Sequence, residues 1–117
     1  MSRIFVYGTL KRGGSNHGWL KGQRLVGAAR TMPGFRLYDL GGYPGMVRDP
    51  QQGLAVEGEV WEVDAAALAR LDELEDVEGG EYARVHLPLQ APFDQETVEG
   101  YLYLHPVAGR RDLGACW

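Results

Sequence analysis

A single stretch of this chain has the makings of a helix, and that restriction governs what the rest can build. Asp64 is a good N-cap, and Ala65-Ala66-Ala67-Leu68-Ala69-Arg70-Leu71-Asp72-Glu73-Leu74-Glu75 follows with strong alanine and leucine propensity. The helix is expected to end in the Asp76–Gly80 segment, with Gly79-Gly80 as its stop. Every other ordered stretch reads as a short strand. Residues 3–8, 24–31, 35–38, a brief run from Met46, 54–63, 81–89 and 97–104 are alternating, β-branched or aromatic, and glycine and proline turns separate them. Residues 13–22 hold at most one helical turn. From Pro106 the chain is polar and reads as a loosely held tail, which gives a domain over 1–105 and a tail over 106–117. Six or so strands and one principal helix in 117 residues predict an α+β domain whose sheet is strongly curled or barrel-like.

Composition excludes several classes of function. A net charge of −4, with twelve scattered basic residues, argues against a nucleic-acid partner. The histidines His17, His86 and His105 are isolated and no Cys/His cluster has zinc spacing, so a metal site has little support. No apolar run is long enough to span a membrane. Met1-Ser2-Arg3 leads straight into the first strand, so no secretory leader is expected. The one cysteine, Cys116, has no internal partner, which fits a reducing, cytoplasmic setting. The oligomeric state is not legible.

The first strand places Ile4 and Val6 on one face and Phe5 and Tyr7 on the other, as a central strand would. It breaks at Gly8 and runs through Thr9, Leu10, Lys11 and Arg12 into Gly13-Gly14. Two readings of Gly8 stand at this point. It makes a tight turn, or it lets the loop Tyr7–Leu10 present main-chain N–H groups to an anion. In the 54–63 strand, Val56, Gly58 and Val60 share one face, and Glu57, Glu59, Trp61 and Val63 the other. Glu59 is expected to be solvated.

The helix closes on four acids, Asp72, Glu73, Glu75 and Asp76. At 100° per residue, Leu68, Leu71 and Leu74 form an apolar stripe, Glu73 points away from it, and Asp72 and Asp76 lie on the polar side. Glu75 falls on the edge of the stripe, facing the core. An inward carboxyl without a partner has its pKa raised by desolvation, which suits a general acid or base near neutrality. The alternative is a structural role, pairing with Arg84 or accepting a tyrosine hydroxyl.

Phe5-Val6-Tyr7-Gly8-Thr9-Leu10-Lys11-Arg12-Gly13 resembles the opening motif of the γ-glutamylcyclotransferase-like proteins, particularly the γ-glutamylamine cyclotransferase branch. Val56-Glu57-Gly58-Glu59-Val60-Trp61 is similar to that family's middle strand, and Leu71-Asp72-Glu73-Leu74-Glu75 with Tyr82-Ala83-Arg84 to its catalytic segment. Tyr43-Pro44 and Gly100-Tyr101-Leu102-Tyr103 extend the likeness over about residues 3–104. The resemblance implies a small mixed sheet curled toward a barrel, with a cavity at the end of the first strand. It implies Glu75 as catalytic residue and Tyr7, Gly8, Thr9 and Leu10 as substrate loop, with Lys11 as a further candidate for the substrate carboxylate. The implied reaction releases an amine from a small γ-glutamyl substrate as 5-oxoproline forms, without cofactor or metal.

Two rival functions stand beside it. One is a non-catalytic module of the same fold that binds a small metabolite. The other is an interaction protein that uses exposed aromatics such as Trp19 and Trp117.

Overall fold

Strand β1 (Ser2–Val6) buries Ile4, Phe5 and Val6, so both of its faces meet core. That requires a strand on either side, and the computed structural model, which describes all 117 residues, supplies them. β2 (Arg24–Arg30), β5 (Glu57–Val63), β1, β7 (Glu99–Tyr103) and β6 (Tyr82–His86) make one sheet in the order β2-β5-β1-β7-β6. β1 is antiparallel to β5, with Val6 opposite Glu59, and parallel to β7, with Ile4 opposite Glu99. A second, antiparallel sheet has the order β4-β3-β8, from β3 (Phe35–Asp39), β4 (Pro44–Arg48) and β8 (Arg111–Gly114). The five-stranded sheet curls until its margins touch. Thr31, just past β2, bridges Leu89, past β6, and the Gln90 N–H donates to the Arg30 carbonyl at 2.9 Å. Contact through so few residues leaves a curled sheet and not a closed barrel.

β1 divides two apolar clusters. Phe5 and Tyr7 point inward with Val56, Val60 and Leu102, against Phe35, Leu37 and Met46 of the second sheet. Ile4 and Val6 point outward with Trp61, Val63 and Tyr101, and Ala67 and Leu71 of α1 (Ala65–Leu74) cover them. The period-2 alternation of β1 and β5 is thus what sorts the two layers.

Three expectations need correction. α1 is capped at its start by Asp64, which accepts the Ala67 N–H at 2.7 Å, but it ends at Leu74 with Glu75 as C-cap. The stop is Asp76, at φ 50, a left-handed conformation that a short polar side chain tolerates, and its carboxylate accepts the Gly79 N–H at 3.1 Å. The stretch expected to hang loosely past Pro106 contributes β8, which pairs with β3. There Leu113 packs on the inner cluster, and the Ala115 carbonyl accepts the Glu57 N–H at 2.8 Å. Its sequence, Arg-Asp-Leu-Gly, lacks strand propensity, and the open edge of β3 provides the structure. A short 3-10 turn, His17–Leu20, is the one helical turn expected within 13–22.

Candidate active site

Beyond the end of β1, beneath the last turn of α1, lies a cavity of about 270 Å³. The loop Tyr7–Leu10 forms one wall, Leu74 and Glu75 another, and Tyr43-Pro44 with Tyr82 and Tyr101 complete it. All five residues singled out from the sequence, Tyr7, Gly8, Thr9, Leu10 and Glu75, therefore border one space. Lys11 does not line it.

The loop is held by its carbonyls. Gly8 O accepts the Lys11 N–H at 3.1 Å, Thr9 O the Asn16 N–H at 2.9 Å, and Lys11 O the Gly14 N–H at 2.8 Å. Leu10 O lies 3.1 Å from His17 Nδ1, a contact that puts the ring proton on that nitrogen. The N–H groups of Gly8, Thr9 and Leu10 donate to no acceptor within the protein. In a trans peptide the C=O of one residue points opposite to the N–H of the next. Anchoring the Gly8 and Thr9 carbonyls therefore turns the Thr9 and Leu10 N–H groups the other way and leaves them free. Gly8 is required for a reason different from either sequence reading. Its φ is not positive, but a Cβ there would meet the Pro44 ring at 2.5 Å, so the glycine allows β4 to close over the loop.

Glu75 is half-buried, and no side-chain hydrogen bond or ion pair engages its carboxyl. Burial alone raises its pKa from 4.5 to about 7. The structural partners considered for it go to another acid instead. Asp72 Oδ1 accepts the Tyr101 hydroxyl at 2.7 Å and Arg84 Nε at 2.9 Å, and Arg84 reaches on to Glu99 at 2.9 Å. The helical wheel sets Asp72 on the polar side, and there it faces β6 and β7, with its side chain 27% exposed. Two more cavity tyrosines give their protons to protein acceptors: Tyr7 to the Tyr101 carbonyl at 2.7 Å and Tyr82 to the Pro44 carbonyl at 2.9 Å. Burial pushes the pKa of Tyr7, Tyr82 and Tyr101 far up, so these three phenols stay neutral. Glu75 is the one titratable group of the cavity wall whose shift brings it near neutral pH.

Glu59 also departs from expectation. It is only 8% exposed, and its carboxylate accepts the Arg12 N–H (3.0 Å), Arg12 Nε (3.0 Å) and the Trp61 indole N–H (3.2 Å). Burial opposes its charge, but those donors win and hold its pKa below the ordinary carboxylate value. Alternation put Glu59 and Trp61 on one face of β5. No sequence signal links them to Arg12 across the sheet.

A half-buried free carboxyl opposite unpartnered main-chain donors, in a cavity small enough for one amino-acid-sized ligand, defines a small-molecule site. Comparison with known proteins narrows the class. Residues 4–117 match the family described as gamma-glutamyl cyclotransferase, AIG2-like. A putative γ-glutamylcyclotransferase of Vibrio cholerae is 43% identical over 111 residues, covering 95% of this chain and 91% of that protein. The γ-L-glutamyl-butirosin B γ-glutamyl cyclotransferase of Niallia circulans is 41% identical over 80 residues, 68% of this chain and 49% of its own length. The crystal structure of an AIG2-like protein from Mus musculus superposes with a TM-score of 0.75 at 33% identity, over 90% of this chain and 77% of that one. The chain belongs to the γ-glutamylcyclotransferase, AIG2-like family.

Proposed function

We propose that this protein cyclises the γ-glutamyl group of a small γ-glutamyl compound to 5-oxoproline and releases the attached amine. The observation that carries the reading is the pairing of a partnerless Glu75 carboxyl with the free N–H groups of Gly8, Thr9 and Leu10 around one cavity. The substrate α-ammonium gives up a proton to the Glu75 carboxylate, and the freed amine attacks its own γ-carbonyl carbon. The new C–N bond places negative charge on the carbonyl oxygen, which the loop N–H groups stabilise, each donor worth about 3 kcal/mol. Glu75 returns the proton to the departing nitrogen as the old C–N bond breaks, and the second proton of the attacking nitrogen passes to the released amine, which leaves as an ammonium. Proton transfer of this kind contributes roughly 10²- to 10⁴-fold. The attack is intramolecular, so a cavity that keeps the glutamyl chain folded supplies a further large share.

The leaving amine is the open half of the assignment. The Niallia relative carries the name of an enzyme acting on γ-L-glutamyl-butirosin B, so a γ-glutamyl aminoglycoside belongs in any test set. The deciding experiment is a panel: γ-glutamyl-ε-lysine, simple γ-glutamyl alkylamides, γ-glutamyl amino acids and a γ-glutamyl aminoglycoside, assayed for 5-oxoproline. Wild type is expected to release it from at least one of them and a folded Glu75→Gln variant from none. Undiminished turnover in the variant would refute the role given to Glu75. Binding of 5-oxoproline without any turnover by wild type would favour the non-catalytic module.

A further inference from the structure

Glu59 takes no part in that chemistry, yet it is nearly buried, stands where the substrate loop leaves the sheet, and reaches the far end of that loop with its side chain. Its backbone lies opposite Val6, the last residue of β1 before the loop. Its carboxylate lies on Arg12, where the loop ends: Oε1 on the main-chain N–H and Oε2 on Nε, both at 3.0 Å. One residue of β5 therefore closes the segment 7–12 at both ends. The Trp61 indole, donating to Oε1 at 3.2 Å, fixes the carboxylate from the other side.

The constraint passes inward through two consecutive peptide planes and then across a hydrogen bond. The plane joining Lys11 to Arg12 is pinned twice, by Gly14 on its carbonyl and by Glu59 on its N–H. The next plane back carries the Lys11 N–H, which holds the Gly8 carbonyl at 3.1 Å. The plane containing that carbonyl carries the free Thr9 N–H. A tilt at Arg12 is thus transmitted, two planes on, to a donor of the cavity. We propose that Glu59 is a positioning residue for the donor loop, acting through Arg12 to aim the N–H groups of Gly8–Leu10. This rests on the cyclotransferase reading for its catalytic consequence, but not for its geometry.

The carboxylate matters more than the guanidinium. A glutamine at this position offers one acceptor oxygen and an NH₂ that faces a donor, so at least one of the three incoming bonds is lost. Arg12→Ala removes only the Nε bond, because the main-chain N–H remains. In Glu59→Gln we expect the Gly8, Thr9 and Leu10 amide resonances of the ligand-free protein to move, with the chain still folded and the melting temperature lowered by a few degrees. On the panel compound that wild type turns over fastest, kcat should drop about 10²-fold, the scale expected when reacting groups shift by about 1 Å. KM should change much less, and the pH at which activity is half-lost on the acid side should not move. Arg12→Ala should show the same pattern at smaller amplitude. Loop amides in place with kcat unchanged in Glu59→Gln would overturn the inference, and so would an equal loss in Arg12→Ala. If wild type releases no 5-oxoproline at all, the cyclotransferase reading fails separately. The loop amides, and 5-oxoproline as a binding probe, then test the positioning role directly.

Discussion

At the scale of a residue, Glu75 sets a conflict between stability and chemistry. Burial alone raises its pKa from the ordinary 4.5 to about 7. The folded chain therefore binds this proton more tightly than the unfolded one. Stability is full below pH 4.5 and falls as the pH rises through about 7. Discounted for its partial exposure, the ionised form costs about 2 to 3 kcal/mol. Glu75→Gln should accordingly be more stable than wild type by about that amount at pH 8, and equal to it at pH 4, in urea unfolding. The same titration should give kcat/KM an acid limb near pH 7, because the carboxylate is the form that accepts the proton. The inward placement of Glu75 is readable from the stripe of Leu68, Leu71 and Leu74. Its lack of a partner is not, because that depends on where Arg84 and Tyr101 arrive from other strands.

At the scale of an element, the end of α1 is fastened by a helix residue that the wheel places on the polar side. Asp72 ties the last turn to β7 through Tyr101 and to β6 through Arg84, one turn before Glu75. Tyr101 also accepts from Tyr7 with its carbonyl, so one residue of β7 links the donor loop to the helix that carries the carboxyl. Tyr101→Phe keeps that carbonyl and the packing, and removes only the hydroxyl. We expect a loss of about 1 kcal/mol in urea unfolding, together with a lower kcat as the last helical turn loosens. No change in either would mean that Arg84 alone holds Asp72. Strand existence is largely legible here because β1, β5 and β7 follow the two-residue period. β8 is not, since an Arg-Asp-Leu-Gly segment becomes a strand only against the waiting edge of β3. Glu59 is missed for a related reason: a strand pattern states which face a side chain takes, not which loop folds back onto it.

At the scale of the whole molecule, two sheets share the inner cluster, and β8 is the last piece of the second. It covers one edge of β3, adds Leu113 to the core and donates no residue to the cavity. A chain ended after Pro106 should therefore lose several degrees of melting temperature and tend to aggregate through the bared strand edge. A truncated chain with an unchanged melting temperature would return the segment to the status of a free tail. The cavity itself depends on order in the larger sheet, since its donor loop follows the central strand and its carboxyl sits on the helix covering that strand. The parallel seam between β1 and β7 has one more consequence, for biosynthesis. β1 leaves a ribosome long before its parallel neighbour, so Ile4 waits for Glu99. At 5–20 residues per second that wait is roughly 5 to 20 s. During it a segment made to be buried on both faces is left in water, in want of a chaperone.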